Sequence, residues 1–186
     1  MGRSENNKTN ESDVHLPMFK MSFLKMRTTS ALKSNGSKRA STPYKHAENF
    51  GIIFSVEDKS KHDLIKDLIK RLETDGKKVK VLEFLPKKKE NYEFLFDYFT
   101  IDDLSFWGNI TSEDAVKFSN TPFDYLFYID SQSNPLVLNL LARSKAHCRV
   151  GRFEESESPY FELMIEDNGN TKSLIDNVYK YTRQLK

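Results

Sequence analysis

One cysteine, one tryptophan and seven glycines occur among 186 residues, and each scarcity removes a class of protein. Cys148 alone cannot form an internal disulfide, whereas small secreted domains usually depend on several, so a reducing, cytoplasmic compartment is expected. No run approaches the roughly 18 consecutive apolar residues of a membrane span, and the first residues lack the charged-then-apolar plan of a signal peptide. His15, His46, His62 and His147 have no close ligand spacing, and His147 and Cys148, adjacent on a strand, would point to opposite faces. These residues call for no metal and no cofactor. Cys148 has no evident base beside it and reads as a small buried apolar residue.

Glycine is missing where a nucleotide-binding fold needs it most. A dinucleotide fingerprint or a phosphate-cradling loop places clustered glycines between the first strand and the first helix. Here that turn reads Glu57, Asp58, Lys59, Ser60. Two carboxylates there repel a pyrophosphate, which disfavours ordinary dinucleotide binding.

What is present is uneven in charge. Met1 to Asn49 holds nine Lys or Arg against four Asp or Glu, while the remainder holds twenty against twenty-three. Residues 1–45 therefore read as a basic N-terminal arm, disordered at first and partly helical between Pro17 and Lys33, with a linker at Asn35 to Pro43. Lys20, Lys25, Arg27, Lys33, Lys38, Arg39 and Lys45 would carry its attraction for phosphate or anionic lipid. Met18 and Met21 are alternative starts for the chain.

Residues 46–186 read as one α/β domain, long enough to bury a core without staples. Phe50 to Val56 is an apolar run of strand length. Ser60 and Asp63 have capping spacing ahead of Leu64, Ile65, Leu68, Ile69 and Leu72, and Gly76 stops that helix. Val79 to Leu85 is a second strand and Tyr92 to Ile101 a third. Thr111 and Asp114 precede a short helix ending near Asn120, and Asp124 to Ile129 is a fourth strand. Asn134 and Pro135 open a helix running to about Ala146. Cys148 to Gly151 and Tyr160 to Glu166 are further strands, and Leu174, Ile175 and Val178 line a last helix. This alternation predicts a three-layer sandwich around a mainly parallel, Rossmann-like sheet of about five or six strands.

Ligands of open α/β sheets gather at the carboxyl ends of strands, so Glu57, Asp58, Asp130, Ser131 and Asn134 form a candidate pocket between the first and fourth strands. Helix capping by Asn134 and Ser60, with acids favoured at helix N-termini, accounts for the same residues without a ligand. Trp107, beside Gly108 in a loop, either stacks on a partner or plugs a sheet edge. Arg143, Lys145, Arg149 and Arg152 form a loose basic cluster that either meets a partner or compensates a helix C-terminus.

The run Phe106-Trp107-Gly108, then Asn120-Thr121-Pro122-Phe123-Asp124, Asn134-Pro135-Leu136, Leu140, Leu141, Arg143 to Ala146 and Arg149-Val150-Gly151 resembles an uncharacterised Bacteroidota family, domain of unknown function 6913, over roughly Met18 to Lys186. It implies a lineage and no activity. Phe123 to Phe153 also resembles the N-terminal Rossmann-like half of heptosyltransferase-type glycosyltransferases, which hold a sugar nucleotide between two such halves; this chain has room for one.

Two functions follow as expectations. In the first, the domain is a non-enzymatic interaction module whose basic arm tethers it to RNA, the ribosome or an anionic membrane surface, at a cytoplasmic address. In the second, it is a small ligand-binding or enzymatic half-domain of nucleotide or nucleotide-sugar type, with its pocket at the ends of the first and fourth strands.

Overall fold

The computed structural model describes residues 11–87, 89, 91, 92 and 96–186, with side chains from Met18 onward. Its centre is β1 (Asn49–Ser55), whose residues Phe50 to Phe54 are all buried. A strand covered by helices on both faces must be apolar at every position, which is why the run reads as continuous. Helix α2 (Lys59–Thr74) follows, and Gly76 ends it at φ +77°. The Lys77 amide reaches back to Leu72 O at 3.0 Å and the Gly76 amide to Glu73 O at 2.9 Å, a closure that needs a left-handed residue between them.

Strands β2 (Lys78–Phe84), β3 (Asp97–Phe99), β4 (Tyr125–Tyr128), β5 (Cys148–Arg152) and β6 (Leu163–Ile165) complete a six-stranded sheet. Every pairing is parallel, in the order β3-β2-β1-β4-β5-β6. This is the strand order of dinucleotide-binding folds, and it reverses between β1 and β4. On one face pack α2 and α5 (Thr171–Thr182), burying Ile65, Leu68, Leu72, Leu174, Ile175 and Val178. On the other pack α3 (Glu113–Asn120) and α4 (Pro135–Arg143), burying Ala115, Phe118, Val137 and Leu141. The expectation of a three-layer sandwich around a mainly parallel sheet of five or six strands is met, with every pairing parallel.

Several boundaries differ. Asp58, not Ser60, caps α2, accepting from the Lys61 amide at 2.8 Å, and Ser112, not Thr111, caps α3. In both cases the polar residue next to the first helical position does the work. Helix α4 ends at Arg143, and β3 keeps three residues of the expected Tyr92–Ile101 stretch, of which 93–95 lie outside the described residues. The Tyr160–Glu166 stretch pairs only over Leu163–Ile165, because a 3₁₀ turn containing Pro159 occupies Glu155–Tyr160.

The N-terminal segment is a helix, α1 (Glu11–Ser34), laid along α4. Leu24 is 1% exposed and joins the α3–α4 core. Buried Thr28 accepts from Asn139 Nδ2 at 2.9 Å, and Asn35 Nδ2 donates to Ala142 O and Ser144 O at 2.8 and 2.9 Å. Gly108, at φ +72°, is the close approach that seats α1: a Cβ there would lie 2.4 Å from the Leu24 amide nitrogen. The Asn35–Pro43 stretch is irregular but tied down, since the Ala40 amide donates to His147 O at 3.1 Å and the Tyr125 hydroxyl to Thr42 O. From Met18 on, the basic stretch therefore lies on the domain. The readings made for residues 1–10 lie outside the described residues.

Candidate functional site

At the carboxyl ends of β1 and β4 the chain supplies its own counter-ion. Asp130 follows β4 and is almost fully buried. Its Oδ1 accepts from the Ser55 amide at 2.8 Å and from Lys61 Nζ at 2.6 Å, and its Oδ2 accepts from the Ser55 hydroxyl at 2.7 Å. Asn134 closes the ring: Nδ2 donates to Ser55 Oγ at 3.0 Å while Oδ1 caps α4 through the Leu136 amide at 3.0 Å. Lys61 also reaches the exposed Glu57 carboxylate at 2.5 Å. Burial pushes the Asp130 carboxyl above the usual range, and Lys61 and the two Ser55 donors oppose that shift.

Four of the five expected pocket residues are thus neighbours through Lys61 and Ser55, with Asp58 engaged as a cap; Ser131 is half-buried and makes no described side-chain hydrogen bond. Lys61 is the residue that sequence reasoning missed. It was legible, because positions 61, 65, 68 and 72 form one helical stripe and a lysine stands where the stripe predicts an apolar side chain.

A second arrangement lies on the opposite flank, where α1 crosses α4. A cleft of about 680 Å³ is bordered by Arg27, Ser34, Asn35, Asn139, Arg143 and Lys145, among others, and among the described residues no acidic side chain lines it. Asn139 is buried, and its Oδ1 has no donor among the described residues. Two helix C-termini end here, each worth roughly half a negative charge, so three side-chain cations leave the cleft at about +2.

The carbonyls at the end of α4 already have donors. Asn35 serves Ala142 O and Ser144 O, Arg149 Nη1 donates to Leu141 O at 3.0 Å, and Arg39 donates to Ser144 O and Ala146 O. Helix-end compensation therefore does not require Arg143 and Lys145, which are exposed and make none of the described side-chain hydrogen bonds or ion pairs.

The other basic residues divide. Arg149 is buried in a two-pronged pair with Glu162, Nη2 to Oε1 at 2.7 Å and Nε to Oε2 at 3.0 Å. Arg152, the last residue of β5, lies 3.8 Å from Glu154. Lys20 Nζ donates to Leu104 O at 3.0 Å, Arg27 Nε to Trp107 O at 2.6 Å, and Arg39 is committed to the α4 end. Lys25, Lys33 and Lys38 are exposed, and Lys45 borders a separate cleft beside Asp75. Trp107 plugs no sheet edge: it is 60% exposed, next to Phe106 at 43%. Cys148 is buried, and burial pushes its thiol up to about 12. Among the described residues no group of three or more His, Cys, Asp or Glu side chains is arranged to hold a metal ion, and no helix is long and apolar enough to cross a membrane.

Fold and sites together define an α/β protein of dinucleotide-binding strand order whose strand-end crevice is held by its own lysine and whose cationic cleft lies on a helical flank. The chain belongs to the family of unknown function DUF6913, which matches residues 20–185 and so includes α1 from Lys20 onward. No curated protein and no solved structure matches it.

Proposed function

We propose that this protein is a non-enzymatic docking module that binds RNA, free or in the ribosome, through the cleft between α1 and α4, in the cytoplasm. The observation that carries the reading is the convergence of Arg27, Arg143 and Lys145 on one concave surface that no carboxylate among the described residues lines. Arg143 and Lys145 satisfy no acceptor among the described residues, and Arg27 spends only its Nε on a backbone carbonyl, so the three keep hydration that a phosphate chain replaces while releasing counter-ions. The concavity favours a strand over a bilayer, since a planar surface cannot enter a cleft whose walls carry Ser34, Asn35 and Asn139.

The competing half-domain reading is less well supported. Ser55 and Lys61 already occupy acceptor positions of Asp130, and Asn134 holds the Ser55 hydroxyl, so a ligand at that crevice would have to displace a buried ion pair. Removing residues 1–45 is a poor test of the docking reading, because Leu24 and Thr28 belong to the core. Charge reversal is the suitable one. Arg143→Glu with Lys145→Glu should leave the melting temperature nearly unchanged and weaken binding of a labelled single-stranded RNA at low salt by tenfold or more. Equal affinity of variant and parent would overturn the proposal.

A further inference from the structure

We infer that Trp107 is a base-stacking platform at the rim of this cleft, so that the partner is single-stranded RNA rather than a duplex; the inference rests on the docking reading above. Tryptophan is highly buried in most folds, yet here the indole is 60% exposed and is held out by structure on three sides. Phe106 meets it edge-on at 5.1 Å between ring centroids and Phe23 of α1 at 5.4 Å. The turn beneath it is fixed: the Gly108 amide donates to Ser105 O at 3.0 Å, the Ser105 amide to Asn109 O at 2.9 Å, and Leu104 bridges Ile110. Gly108 itself is pressed against the α1 backbone. A side chain already ordered pays little conformational entropy when a ligand stacks on it.

Arg27 links this platform to the cations. Its Nε donates to Trp107 O at 2.6 Å while the residue borders the cleft, and Asn109 borders the cleft two residues after the indole. An exposed aromatic face beside a cationic groove is the combination that holds single strands, with bases stacked and phosphates in the groove. Bases in a duplex are already stacked on one another, and an A-form helix is too wide to enter a cleft of about 680 Å³.

Trp107 is the chain's one tryptophan, so intrinsic emission reports on this site alone. The full chain is titrated with a single-stranded RNA of about twelve nucleotides, with the same RNA as a duplex, and with phosphatidylglycerol vesicles. Trp107 emission and anisotropy of a label on the RNA are followed together. Expected are quenching by the single strand, weaker binding of the duplex without quenching, and a Trp107→Ala variant that melts like the parent and binds the single strand roughly tenfold less tightly. Trp107→Phe should recover part of the loss. Binding by anisotropy with unchanged emission, and full affinity in Trp107→Ala, would overturn the stacking inference and leave the docking proposal standing. Absence of RNA binding at low salt would overturn both. A blue shift with vesicles and no response to RNA would assign the face to lipid and overturn both as well.

Discussion

Lys61 Nζ lies 2.6 Å from Oδ1 of Asp130, and both side chains are almost fully buried at the point where the strand order reverses. In folds of this strand order that crevice receives the ligand. Here an ammonium from the first turn of α2 occupies it, against the local helix dipole, and the Asp130 carboxylate offsets that placement. Breaking such a pair leaves one charge buried alone. Lys61→Met should therefore cost about 3–5 kcal/mol, and adding Asp130→Asn should recover part of that loss. Urea denaturation of the three variants checks it, and additive losses would show that the two residues act independently.

Glu83 gives a pH dependence. It is fully buried on β2, opposite Phe54 of β1 and Tyr98 of β3, and neither carboxyl oxygen has a hydrogen-bond partner among the described residues. Burial pushes its pKa up to about 7. The folded state therefore holds this proton more tightly than the unfolded chain, and its contribution is full below the ordinary carboxyl range and lost as pH rises toward about 7. The loss amounts to about 3 kcal/mol. Glu83→Gln should match the parent at about pH 4 and exceed it at about pH 8. Equal stability curves across that range would contradict the assignment.

Gly108→Ala should cost about 1–3 kcal/mol from its left-handed backbone alone, and more from the collision with Leu24. Gly76→Ala, with similar φ but open space, serves as the control and should cost less. Limited proteolysis should cut within α1 in the first variant and not in the second.

Leu24→Ala should destabilise the whole domain by about 2–5 kcal/mol, as for other buried leucines. A change confined to local α1 fraying would mean that α1 is an appendage.

Much of the fold was legible because the central strands and helices obey strong periodicities. The nearly continuous apolar run Phe50–Val56, the 65-68-72 stripe and the Asn134-Pro135 start each correspond to an observed element. The edges were less so. β3 and β6 keep three residues each, and aromatic density around Tyr92 marks burial without fixing which residues pair. Segment α1 carries a weaker signal for a physical reason: its buried positions are Leu24 and Thr28 amid lysines, too narrow a stripe to separate a docked helix from a free basic arm. Glu57, Asp130 and Asn134 stand together around Lys61 and Ser55, and the place of Lys61 on the 61-65-68-72 stripe marks it in the sequence. Arg143 and Arg149, close in sequence, face different surroundings because one leaves a helix and the other enters a strand buried on both sides.

The most direct test of the docking account is the salt dependence of RNA affinity. Three phosphate contacts, from Arg27, Arg143 and Lys145, predict a slope of log affinity against log salt of about −2 for a single strand. Arg143→Gln with Lys145→Gln should reduce the magnitude of that slope by about 1.4. An unchanged slope in the double variant would place the phosphates elsewhere on the protein and contradict the account.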